Sequence, residues 1–267
     1  DPQTDQVYDY FGGKDDLLAR RLRFIGDPLE RIAEDHLRIL RFFRFHARFG
    51  AGEPDADALS ACAARANDLM ALSRERIADE LLKLLAVEDP SPTVAVMQGR
   101  AILRAVLPEI EAGAVARLRQ LVETERQAGI RGHPLRRLAA LLPQLPAVAE
   151  RIAGRLKLSN KARKRLACAA DPDVPEQART LAYYAGTECA VDRLLLDGKA
   201  DLAASVKDWQ APRLPIGGGA LIDRGLRQGP EVAKTLQAIE RRWVESDFPE
   251  GDDLERIIVE ALTSARS

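Results

Sequence analysis

The sequence predicts an all-α protein, a multi-helix array entered through a short strand-like segment, and three observations point there. Of its 267 residues 46% are hydrophobic but only 5% aromatic, so Ala and Leu must build the core, as helices packed through aliphatic stripes do. From Pro28 onward apolar residues recur at helical spacing almost to the end. Pro and Gly then punctuate that stretch, from Pro90 and Pro108 through Gly129, Gly132, Pro143, Pro172, Gly186 and Pro215 to Gly251.

Residues 1–27 read differently. Gln6-Val7-Tyr8-Asp9-Tyr10-Phe11 alternates as a strand does before Gly12-Gly13 turns the chain, and Arg21–Ile25 is a second strand-like piece. They read as the edge of a mixed α/β domain. A helix is then expected over 28–48: Asp27 is a good N-cap, Pro28 fits the first helical position, Glu30 supports the cap and Gly50 ends it. Further helices are expected at 55–67, 73–87, 92–106, 113–128, 134–142, 146–155, 160–170, 175–185, 188–197, 200–207, 218–226, 230–245 and 252–265. Linker signals near Asp89-Pro90 and Gln210–Pro215 divide the array.

Several function classes recede. No apolar run is long enough to span a bilayer. A net charge of −1 leaves any nucleic-acid contact to local basic patches. The three cysteines form no CxxC pair or Cys/His cluster, which argues against zinc. Gly217-Gly218-Gly219 lacks the Lys-Ser/Thr and the strand-rich surroundings of a phosphate-cradling loop.

The first half carries the chemistry. Asp35 and Arg38 are three residues apart, which on one helix places a carboxylate beside a guanidinium on neighbouring turns. Such a pair matches the edge of cytosine or adenine, where an exocyclic amino donor lies beside a ring-nitrogen acceptor; uracil and guanine present the opposite order. On spacing alone an intrahelical ion pair is the plainer reading. Phe42, one turn beyond Arg38, either supports that guanidinium or is a core aromatic. Arg41, Arg44 and Arg48 form a basic flank suited to triphosphate or RNA backbone, or a solvated face. Arg155 to Arg165, with Lys161, Arg163 and Lys164 behind the Ser159-Asn160 cap, is a second basic stretch free of acids and a candidate RNA contact.

Motif order adds to this. Asp9-x-x-Gly12-Gly13-x-x-Asp16-Leu17, Arg23-Phe24-x-Gly26-Asp27-Pro28, Arg31-Ile32-x-Glu34-Asp35-x-x-Arg38-x-x-Arg41 and Ser73-x-Glu75-Arg76-Ile77-x-x-Glu80-Leu81 follow one another. The tail has Pro215-x-x-Gly218, Gly229-Pro230-x-Val232 and Trp243. This succession closely resembles the class II CCA-adding tRNA nucleotidyltransferases and their relatives, the bacterial poly(A) polymerases, most densely over residues 9–85. The tail departs from the pattern where Ala220, not Asp, precedes Leu221.

The resemblance implies a head ending at 1–27, a base-reading neck at 28–88, a helical body at 89–209 and a tRNA-binding tail at 210–267. It implies a cytoplasmic RNA nucleotidyltransferase that adds CMP and AMP from CTP and ATP to the 3′ end of tRNA, with poly(A) synthesis or a non-catalytic RNA-binding module as alternatives. Asp35 and Arg38 become the protein template, Arg41 a nucleotide contact, and Glu75 and Arg76 braces for the template. The family's Mg2+ ions are held by a Gly-Ser and Asp-x-Asp block in the head. No such block occurs in these residues, so the chain alone is expected to bind but not to catalyse.

Overall fold

The computed structural model describes residues 3, 4 and 6–266, and among them it is all helix with no strand. Two compact units emerge: residues 1–173 with 192–201, and residues 174–191 with 202–267.

The first unit holds α1 (Gly13–Leu18), α2 (Pro28–Glu34), α3 (Arg38–Phe49), α4 (Ala56–Ala64), α5 (Arg74–Leu85) and α6 (Ser91–Gly99). It continues through α7 (Ala114–Gln127), α8 (Pro134–Leu141), α9 (Pro146–Arg155) and α10 (Asn160–Ala169). Helix α3 shows why the array packs: Ile39, Leu40, Phe42, Phe43 and His46 are buried at helical spacing, while Arg41, Phe45 and Arg48 face outward. That stripe seats α3 on α5 and α6; α5 packs on α8, α7 on α8, and α9 on α10. Caps fall where the sequence offers them: Asp27 accepts from the Glu30 amide, Ser73 from Arg76 and Ser159 from Ala162.

The second unit contains α11 (Ala178–Ala185), the start of α12 (Thr187–Leu196), most of α13 (Ala200–Val206), α14 (Gly218–Asp223), α15 (Pro230–Glu245) and α16 (Gly251–Arg266). Its core is built on Leu221, Ile239, Trp243, Val244, Leu254 and Ile258.

Two expectations are corrected. The strand-like N-terminal remnant forms no strand among the described residues; instead Gly13–Leu18 is a helical turn. Asp9 drives this, accepting the amides of Gly13 and Lys14 at 2.8 Å each, and the Lys14 and Gly13 amides hold its carboxyl below the usual range. Asp16 accepts from both Arg23 and Arg21, which depress its pKa, so the segment is tied by polar bonds rather than a ladder. The expected 28–48 helix is also broken: α2 stops at Glu34, Asp35 is extended (φ −155°, ψ 105°), and α3 begins at Arg38.

A buried ionic network ties the centre of the first unit together. Arg136 donates to Asp192 at 2.8 Å and to Glu125 at 2.7 Å, Arg137 to the other Glu125 oxygen at 2.9 Å, and Arg165 to Asp192 at 2.6 Å. Asp192 is 0% exposed and Glu125 2%. Arg137 also donates to the carbonyls of Leu85, Val87 and Glu88, satisfying the end of α5. Gly132 makes room for this, since a Cβ there would lie 2.1 Å from Arg137 Nη2.

Candidate functional site at the break between two helices

The α2–α3 break decides what Asp35 and Arg38 can do. They do not share a continuous helical face, contrary to their spacing; Asp35 caps the end of α2 and Arg38 opens α3. The break closes through Asp35 itself, whose Oδ1 accepts the Leu37 amide at 3.1 Å, a side-chain turn that competes with helix.

Each member of the pair has its own holder. Arg76, from the first turn of α5, donates Nη2 to both Asp35 oxygens at 3.1 and 2.9 Å. Arg38 donates Nη1 to the Arg31 carbonyl at 3.0 Å and pairs with Glu34 at 2.7 Å. Glu34 is in turn held by Arg31 at 2.7 Å. Both side chains stay partly open, Asp35 at 26% and Arg38 at 29%. A carboxylate has about four acceptor sites, and these bonds leave one on Oδ2. Arg38 keeps Nε and Nη2 without a protein partner among the described residues. The arrangement therefore offers an acceptor and a donor from fixed groups.

Beside it lies a buried carboxylate. Glu80, 4% exposed at its side chain, accepts from Arg41 Nε at 3.3 Å and from Arg44 Nε at 2.6 Å. The terminal amines of Arg41 remain outward, on a side chain 45% exposed. Glu80 occupies a core position of α5 between Ile77 and Leu81, where a charge is tolerated only if paired.

Other expected residues fall differently. Phe42 is buried and stacks on Phe24, centroids 5.4 Å apart and 13° between planes, so it is a core aromatic that joins the N-terminal segment to α3. Glu75 does not touch Asp35; it accepts from Lys157 at 2.8 Å, which lowers its pKa and links α5 to the turn before α10. Lys161, Arg163 and Lys164 are exposed on α10. Arg163 is within 3.5 Å of Glu150, while Lys161 and Lys164 have no acid partner among the described residues. His46 is buried with Nδ1 3.4 Å from Thr93, and burial lowers its pKa, as a structural histidine. The bare Asp-x-Asp triplets are local: Asp55 caps α4, and Asp171 accepts the Asp173 amide. Among the described residues no three His, Cys, Asp or Glu converge to hold a metal.

Residues 53–113 match the family described as a probable RNA and SrmB-binding site of polymerase A. The mouse mitochondrial CCA tRNA nucleotidyltransferase 1 is 30% identical over 91% of this chain and 59% of its own length. A CCA-adding enzyme of Streptococcus gordonii is 31% identical over 96% of this chain and 66% of its own. The chain belongs to the CCA-adding enzyme family. It spans about 60% of the length of the animal relatives. The fold agrees: the Thermotoga maritima CCA-adding enzyme complexed with tRNA superposes with a TM-score of 0.70 at 19% identity, covering 96% of this chain and 67% of that one. The Bacillus stearothermophilus CCA-adding enzyme in complex with CTP gives 0.69 at 21% identity, covering 97% and 70%. In this CCA-adding family member, Glu34, Glu80 and Lys157 are the contacts that motif spacing did not assign. Glu34 and Glu80 both stand in the motifs, and Glu80 left a further signal, a charge at apolar helical spacing.

Proposed function

We propose that this chain selects the base and helps to bind the RNA in template-independent addition of CMP and AMP, from CTP and ATP, to the 3′ end of tRNA. The observation that carries this is the separately braced pair: Asp35 held by Arg76, and Arg38 held by Glu34 and the Arg31 carbonyl. Oδ2 of Asp35 accepts from the exocyclic amine of cytosine or adenine, and Arg38 donates to the neighbouring ring nitrogen. Uracil and guanine set acceptor against acceptor and donor against donor, at about 1–3 kcal/mol for each unpaired group. Rigid bracing matters because a side chain free to rotate would adapt to the wrong edge. Arg41, anchored through Nε by Glu80, turns its terminal amines toward the nucleotide.

Lys161 and Lys164, with Arg163, supply RNA-backbone attraction. That reaction uses Mg2+ held in the family's Gly-Ser and Asp-x-Asp block, a block these residues do not contain. Poly(A) synthesis is the second reading, favoured by the polymerase A description of the family matched over residues 53–113.

Incorporation assays with the complete protein, single nucleotides and a tRNA lacking its 3′ CCA distinguish these. CMP addition followed by AMP supports the first reading; AMP runs alone support the second. tRNA binding without any preference for CTP and ATP would leave only a helical RNA-binding module.

A further inference from the structure

The second unit holds a cavity of about 480 Å³ lined by Arg179, Trp209, Arg213, Trp243, Asp247 and Phe248. Its two tryptophans are differently employed. Trp243 is 2% exposed and its indole N–H donates to the Pro249 carbonyl at 2.9 Å. Trp209 is only half-buried, its backbone carbonyl fixed by the Thr187 hydroxyl at 3.1 Å. Its indole N–H has no partner among the described residues. Phe248 stands 5.2 Å from the Trp209 ring and 5.0 Å edge-on from Trp243, so the three rings form one wall.

That wall is maintained against backbone cost. Asp247 and Phe248 are consecutive non-glycine residues at φ 59° and 62°. Left-handed conformations at such residues persist where surrounding contacts enforce them, and they cluster at ligand sites. Here the Phe248 amide bonds the Trp243 carbonyl at 2.9 Å and Arg179 holds Asp247 at 2.9 Å. Arg213 is exposed at the rim with no acid partner among the described residues.

We propose that this cavity receives one unstacked RNA nucleotide, its base against Trp209 and Phe248 and its phosphate on Arg213. An aromatic face with a free guanidinium beside it suits a base and its phosphate together. A proline-rich peptide would use the rings but has no use for the free cation. The volume is that of a small-ligand pocket. The proposal rests on the RNA-handling reading above and names a second point of contact for that RNA.

With only two tryptophans in the chain, fluorescence reports the site directly. The probes are a tRNA transcript lacking its CCA end and a blunt RNA duplex of equal length without unstacked bases. The transcript quenches tryptophan emission and the duplex does not. Trp209→Phe removes most of the quench, leaving only what the buried Trp243 reports, yet keeps affinity within about threefold, because stacking survives. Trp209→Ala weakens transcript binding about tenfold or more and leaves duplex binding unchanged. Arg213→Ala lowers the salt slope of transcript binding by roughly one phosphate. Unchanged transcript affinity in folded Trp209→Ala, equal quenching by both RNAs, or quenching by a polyproline peptide instead would each overturn the proposal. Should Trp209→Ala unfold, absence of any quench in the wild type or an unchanged slope in Arg213→Ala overturns it. CTP and ATP preference measured alongside separates the two ideas. Preference without any Trp209 effect defeats this inference alone. A Trp209 effect without preference defeats the base-selection reading alone.

Discussion

Two clusters in the first unit use the same chemistry for opposite ends. Around Arg136, carboxylates and guanidiniums are almost wholly buried and paired on every side. Around Asp35 and Arg38 the ions are about a quarter exposed, and each is held on one side only. A closed network fixes helices; a half-closed one fixes side chains while leaving an edge for something else to meet. What separates them is unspent hydrogen-bonding capacity, not the strength of any bond.

The contrast can be broken most forcefully from the buried side. Glu125→Ala removes the carboxylate that Arg136 and Arg137 share in the interior, and removing one partner of a buried pair costs about 3–5 kcal/mol. Urea unfolding should show that loss, whereas Asp35→Ala should cost no more than about 1 kcal/mol because its partners reach water. Equal losses at the two sites would erase the distinction.

Bracing is the next difference to probe. Arg76→Ala frees Asp35 to rotate and should reduce the preference for CTP over UTP about five- to tenfold, near 1 kcal/mol. Arg76→Lys, with one donor point but no planar fork, should recover part of it. A preference untouched by either change would show that Asp35 needs no support.

Smaller still is the effect on α10. Replacing Lys161, Arg163 and Lys164 together with Ala should flatten the salt dependence of tRNA binding. Arg163 already faces Glu150, so the slope should fall by about two phosphate contacts rather than three, each worth roughly 0.7–0.9. An unchanged slope removes this face from the RNA surface.

How far the sequence discloses these regions follows from the range of the interactions. Most helices from α4 onward are legible because caps such as Asp55 and Ser73 and the Pro and Gly stops act within a turn, but the one expected over 92–106 ends at Gly99, where Ala101 turns left-handed at φ 58°. The α2–α3 break is not legible because no Gly or Pro marks it; an Asp bonding the amide two residues on makes it, and that reads as ordinary helix. Alternation around Val7 and Tyr8 suggested a strand, yet Asp9 capping the next turn prevailed. Asp35, Arg38 and Arg76 could be found by motif order. The roles of Glu34, which holds Arg38, and of Glu80, which holds Arg41 and Arg44, could not, although both stand in those motifs, since Glu34 looks like a surface acid and Glu80 meets α3 only through the fold. The Arg136 network was invisible for the same reason: Glu125 and Asp192 are 67 positions apart and read as solvated charges.

The most direct measurement is equilibrium binding of CTP and UTP to the wild type and to Asp35→Asn. Asparagine preserves size and can still accept from Arg76, but it replaces one acceptor oxygen with a donor. Wild type should favour CTP by about tenfold or more, as one or two mismatched groups at 1–3 kcal/mol require, and Asp35→Asn should bring the ratio close to one with the fold intact. A folded Asp35→Asn that still prefers CTP by the wild-type margin would contradict the assignment of Asp35 as a reader of the base.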